Sequence, residues 1–202
     1  MNINAFLDWA ISNKLEFGGT IFGLLYVWFS IRQNLLTWPA GIITSILYFG
    51  VFLHAGVYAA MSLQFYYLII SCYGWWSWSY TQNADSDHEK LRITPTSSTL
   101  WLKLFILSIL LTALFFALLI RYTDSEIPFG DAVTTSLSIL ATWMLTRKKL
   151  EHWFIWIGID LFSASLYHYK GLYSTAFLYL AYAVMASIGY YEWQREPQKA
   201  IV

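Results

Sequence analysis

The sequence predicts an all-α integral membrane protein of seven transmembrane helices, built as two parallel three-helix repeats joined by a linker helix. Three observations carry this reading. The 202 residues are 58% hydrophobic and only 12% charged, against about 45–50% and about 25% in soluble domains. Seven apolar stretches follow one another, most of them close to the roughly 20 residues a helix needs to cross a bilayer. The chain also repeats itself at a shift of 115 residues, which lays Trp153 on Trp38.

The elements follow in order. Residues 2–12 read as a short amphipathic segment lying at the membrane interface. Nothing in residues 1–13 resembles a cationic n-region or a small-residue cleavage site, so a removable signal peptide is not expected. The spans fall at 16–32, 36–53 and 57–80, then at 99–120, 131–146, 150–168 and 172–191. Pro39 sits in the first turn of the second span, where its missing N–H costs nothing. The polar run 81–98 reads as a solvated linker. The fifth and sixth spans are short and partly polar, which turns them toward protein rather than lipid. The whole of 1–202 forms one membrane domain: a first repeat at 16–80, a cytoplasmic linker with its connecting helix at 81–120, and a second repeat at 131–193.

The repeat aligns without a gap. Trp28 falls on Trp143, Arg32 on Arg147, Gly56 on Gly171, Tyr58 on Tyr173, Tyr67 on Tyr182, Gly74 on Gly189 and Trp78 on Trp193. So many rare residues in one register mark a duplicated unit. Three helices, one linker helix and three more return the second half to the same side of the membrane. The repeats are therefore parallel, related by a pseudo-twofold axis along the membrane normal, and such repeats place a ligand near the midplane. Of the twelve Lys and Arg, only Lys14, Arg121 and Lys170 fall on one side. The positive-inside rule then puts the 81–98 linker and the C-terminus in the cytoplasm and the N-terminus outside.

Composition excludes several classes. Zero net charge argues against nucleic acid, and a single cysteine, Cys72, excludes an internal disulfide. His54, His152 and His168 are scattered without metal-ligand spacing, so no metal site is expected. Ser163 and Asp160 lack a well-placed base, and no phosphate-cradling glycine loop is present. An enzyme is not expected, and neither is a cofactor.

The candidate site rests on polar groups inside the spans, where they are costly and mark function. Trp156, Asp160, Ser163 and Tyr167 share one face of the sixth helix, and their repeat mates are Gly41, Ser45, Tyr48 and Phe52. Gln64, Tyr67 and Ser71 share a face of the third, with mates Tyr179, Tyr182 and Ala186 on the seventh. The expected substrate-binding set is Asp160, Gln64, Trp156, Tyr48, Ser163, Tyr67, Tyr179 and Tyr182. Asp160, counted from a helix start at Leu150, lies about 15 Å deep. It balances a cationic ligand, pairs with a buried donor such as Ser45 or Tyr48, or is simply protonated. Aromatic faces suit planar rings and cations.

Three stretches carry a family resemblance. The run Ala141 to Trp153 (ATWMLTRKKLEHW), the segment Trp156 to Tyr173 (WIGIDLFSASLYHYKGLY) and Ser62 to Trp78 (SLQFYYLIISCYGWWSW) resemble the Pnu family of PnuC-like bacterial vitamin transporters, over essentially residues 16–193. That family often has Asn where His152 stands, and some of its nicotinamide riboside transporters carry Asn at the position of Asp160. The resemblance implies a SWEET-like 3+1+3 fold in the bacterial inner membrane and a homotrimer. It implies uptake by facilitated diffusion with alternating access, the vitamin being trapped by a cytoplasmic kinase. Nicotinamide riboside, thiamine and riboflavin all occur as substrates in the family. The first two carry a permanent aromatic cation that Asp160 would match, and nicotinamide riboside ranks first. A non-transporting membrane protein is the reading from another class.

Overall fold

The computed structural model describes residues 14–54, 58–82, 91–169, 171 and 173–199. The interfacial segment expected at 2–12 lies outside them. Seven helices are found among the described residues: α1 (Lys14–Ile31), α2 (Thr37–His54), α3 (Tyr58–Gln82), α4 (Ser98–Tyr122), α5 (Pro128–Thr146), α6 (His152–Tyr169) and α7 (Tyr173–Lys199). Each covers one expected span. The largest departures are at α7, which runs on to Lys199, and at α5, which starts early at Pro128; α6 starts at His152 because Leu150 and Glu151 belong to a turn. The only extended pairing among the described residues is a single bridge between Thr94 and Lys149.

The chain forms two compact units, Met1–Trp76 and Ser77–Val202, and the division falls within α3. In the first unit α1 packs along α2. Close approach depends on small residues: a Cβ on Gly19 would stand 2.9 Å from the Tyr48 ring, and one on Gly41 would stand 2.9 Å from Ser71 Oγ. In the second unit α4 packs on α5, α5 on α6 and α6 on α7. Leu104, Leu140 and Met144 are buried together, with Leu100, Leu111, Trp143 and Ile155 around them. Thr112 and Ser136 hydroxyls meet at 2.7 Å across α4 and α5. The Ser136 proton goes to Val133 O, so Thr112 donates to Ser136. Interhelical hydroxyl bonds of this kind hold helices together where lipid provides no hydrophobic drive.

The duplicated sequence is duplicated in backbone and packing. Gln33 and Lys148, mates at the 115-residue shift, both adopt left-handed backbone, with φ of 50° and 48°. The next mates, Thr37 and His152, are wholly buried. Trp38 lies on Gly74 within the first unit, and Trp153 lies on Gly189 within the second. Any Cβ at either glycine would overlap the indole, so these pairs require glycine.

The outer surface is apolar. On α4, Leu102, Phe105 and Leu110 are each at least 60% exposed, and Leu104 is its one buried residue among those described. A 25-residue helix with that surface is covered by lipid rather than water. By length and composition alone α2 and α4 suffice to cross a membrane. Of the other five, α1, α3, α5 and α6 bury polar side chains, Ser30, Ser71, Ser138 and Asp160 among them. The short fifth span behaves as expected, since Ala132, Ser136, Ser138, Leu140, Ala141, Thr142, Met144, Leu145 and Thr146 of α5 are all buried.

Candidate substrate-binding site

The eight expected site residues divide between the two units. In the second unit α6 carries Trp156, Asp160 and Ser163, and α7 carries Tyr179 and Tyr182. Asp160 is the ninth of the eighteen residues of α6, about 12 Å along it rather than 15 Å, because the helix starts at His152. It therefore stands at the middle of its span. Its side chain is 6% exposed and Ser163 is 9% exposed. Trp156, one turn earlier, is half-buried. No hydrogen bond or ion pair to Asp160 is found among the described residues.

Beside this polar face the structure assembles an aromatic wall. Tyr167 and Tyr179 stack with ring centroids 5.3 Å apart and planes 14° apart. Tyr182 meets Tyr179 edge-on at 6.2 Å. Tyr167 continues the Asp160 and Ser163 face of α6, so one helix contributes acid, hydroxyl and ring, and the next contributes two more rings. All three tyrosines are half-buried.

In the first unit the corresponding groups are more committed to packing. Tyr48 lies against Gly19, stacks on Phe52 at 5.9 Å, and its hydroxyl sits 3.1 Å from Thr20 Oγ1. Thr20 gives its proton to Glu16 O, so Tyr48 donates to Thr20. Ser45 donates to Gly41 O at 2.8 Å. Both groups that sequence reasoning offered as hydrogen-bond partners for Asp160 thus donate within their own unit. Gln64 and Tyr67 are half-buried on α3, and Tyr67 contacts the Tyr66 ring at 5.7 Å.

Sequence reasoning missed two features. One is the cluster of His152, Trp153 and Trp193, with the imidazole 4.4 and 4.9 Å from the two indoles. His152 Nδ1 lies 2.6 Å from Lys149 O and must donate to that carbonyl, which leaves Nε2 as an acceptor. The repeat pairing of Trp153 with Trp38 and Trp193 with Trp78 was the available signal. The other is the seating of the linker. Residues 91–97 are not wholly solvated: Thr96 is buried and bound to Glu151. Partners 55 residues apart leave no local trace in sequence.

Comparison with known proteins gives this architecture its context. The chain is 27% identical to the nicotinamide riboside transporter PnuC of Escherichia coli, over 89% of this chain and 84% of that protein. It is 25% identical to the riboflavin/roseoflavin transporter RibM of Streptomyces davaonensis, over 87% and 82%. The fold matches the crystal structure of the vitamin B3 transporter PnuC with a TM-score of 0.75 at 20% identity, covering 95% of this chain and 85% of that one. The family model described as nicotinamide mononucleotide transporter matches residues 13–195, and the chain belongs to that family of membrane transporters.

Proposed function

We propose that this protein takes up a planar, cationic vitamin, nicotinamide riboside first, by facilitated diffusion with alternating access. The observation that carries the reading is Asp160, an acid buried at the middle of a span with no cationic partner among the described residues. Isolated charge in such a place is neutralised by a proton or by a counter-ion. A pyridinium or thiazolium supplies that counter-ion, and the wall of Tyr167, Tyr179 and Tyr182 supplies faces for its ring. A phosphorylated nucleotide fits less well, because its anionic group would meet the acid. The named relatives transport nicotinamide riboside or riboflavin, which supports a vitamin as cargo.

In this proposal Trp156, Asp160, Ser163, Tyr179 and Tyr182 contact the vitamin, and Tyr48, Gln64 and Tyr67 contribute from the first unit. The protein sits in the bacterial inner membrane as a homotrimer, with the N-terminus outside and the C-terminus in the cytoplasm. A cytoplasmic kinase phosphorylates the arriving vitamin, and the added charge prevents its return. Thiamine is the alternative cation of the same family. The likeness to the riboflavin/roseoflavin transporter favours a second reading, a neutral flavin carried on the same aromatic wall. Calorimetric titration of the purified protein with nicotinamide riboside, thiamine and riboflavin separates these. Tightest binding by nicotinamide riboside supports the proposal. Tightest binding by riboflavin replaces it with the second reading.

A further inference from the structure

We propose that Glu151 yokes the linker helix α4 to the loop between α5 and α6, so that α4 travels with the second repeat through the transport cycle. The inference rests on the transporter reading above. Its material is a strap, residues 94–96, laid against the loop Arg147–Glu151. Thr94 N–H donates to Lys148 O at 3.1 Å, and Leu150 N–H donates to Thr94 O at 3.2 Å. Lys149 Nζ donates to Thr94 Oγ1 at 2.9 Å. The Glu151 carboxylate receives the Thr96 N–H at 3.1 and 2.9 Å on its two oxygens and the Thr96 hydroxyl at 2.6 Å. Bonds to an ionised carboxylate are about twice as strong as neutral ones.

The position of this carboxylate gives the strap its consequence. Thr96 precedes Ser97, the N-cap of α4, whose side chain accepts from Leu100 N–H. Glu151 precedes His152, the first residue of α6. One side chain therefore ties the starting points of two helices, and α6 is the helix that carries Trp156, Asp160 and Ser163. Further up, Thr112 to Ser136 and the packing of Leu104 on Leu140 and Met144 hold α4 to α5.

On the corresponding loop of the first repeat no such strap is found among the described residues. There the mate of Glu151 is Leu36, which is 51% exposed. Its N–H is satisfied locally by Asn34 Oδ1 at 2.9 Å, and Asn34 is the mate of Lys149. The two loops share the left-handed residue, Gln33 in one and Lys148 in the other. The second loop keeps the same turn bonds, Lys148 N–H to Leu145 O, Lys149 N–H to Met144 O and His152 N–H to Lys149 O, and among the described residues it alone also receives a strap from the linker. The yoke is thus an addition to the duplicated plan, placed where the linker enters α4. Glu151 acts through the seating of α6, as a positioning residue.

Two variants test it. In a Cys72→Ser background, Thr94→Cys with Lys149→Cys places a disulfide across a bridge pair, where neighbouring strands lie about 4.8 Å apart. If α4 and the loop never separate, the oxidised protein transports nicotinamide riboside in liposomes within about twofold of its reduced rate. Arrest on oxidation, reversed by dithiothreitol, overturns the proposal, as does failure of the pair to oxidise. Glu151→Ala should slow transport by about threefold to tenfold at unchanged affinity, with Glu151→Gln recovering much of the rate. An unchanged rate in Glu151→Ala overturns it too. Hydrogen exchange at the Thr96 and Leu150 amides reads the yoke without any transport, and should accelerate in Glu151→Ala. Wild-type protein that moves no vitamin while this acceleration is seen would sink the transport reading and leave the yoke standing. Unaltered exchange would remove the yoke.

Discussion

Replacing Asp160 by Asn keeps the shape of the side chain and removes its charge. Asp160 is 6% exposed, at the ninth of eighteen helical positions, so little water screens it. A cation about 4 Å away at an effective dielectric of about 20 gains roughly 4 kcal/mol of Coulomb energy. Dehydration of the cation offsets much of that, and hydrogen bonds to charged groups net about 1.5–3 kcal/mol. The expected loss is therefore about 10-fold to 150-fold in Kd for nicotinamide riboside or thiamine. Riboflavin, which carries no charge, should lose less than about threefold, because the amide preserves shape and hydrogen bonding. The variant should remain folded, since an amide costs less to bury than a carboxylate. Titration calorimetry on detergent-purified wild type and variant measures both losses. Equal losses for cation and neutral vitamin would make Asp160 a structural residue, and unchanged affinity would remove it from the site.

Tyr179→Ala removes the partner of the 5.3 Å stack on Tyr167 and should weaken vitamin binding by about threefold to tenfold, since aromatic pairs contribute about 0.5–1.5 kcal/mol; fluorescence titration checks it. Gly189→Ala drives a Cβ to 2.6 Å from the Trp153 ring and should destabilise the protein by about 1–3 kcal/mol, seen as a lower melting temperature in detergent, whereas Gly158→Ala, with nothing within 4 Å, should not. Arg147→Cys, at an exposed position in a Cys72→Ser background, should react with an impermeant thiol reagent only in inverted or opened vesicles; labelling of intact cells would reverse the orientation.

Much of this molecule was legible in its sequence because a bilayer demands long apolar runs and the chain shows its duplication openly. Helix number, the mates Trp38 with Trp153 and Gly74 with Gly189, and the inward turn of α5 all follow from composition and spacing. The helical period of α6 placed Trp156, Asp160, Ser163 and Tyr167 on one face before any fold was in hand. What stayed hidden depended on side chains meeting across helices. The helical period put Tyr48 on the candidate face, but did not show that its ring also lies on Gly19 of α1 or that its hydroxyl donates to Thr20. The linker looked solvated because Thr94, Pro95 and Thr96 are polar or helix-breaking, yet hydrogen bonds to the α5–α6 loop seat it. His152 looked like one scattered histidine, and only the crossing of α6 and α7 brings Trp193 to it.

In the function proposed above, a cationic vitamin equilibrates across the membrane with no other driving force. Uptake of radiolabelled nicotinamide riboside into liposomes carrying the purified protein, with no ion gradient and no nucleotide, tests it most directly. The account predicts saturable entry that stops when inside and outside concentrations are equal, is competed by thiamine more strongly than by riboflavin, and falls in Asp160→Asn at low substrate concentration. Accumulation above the outside concentration under a proton or sodium gradient, or no protein-dependent entry at all, would contradict it.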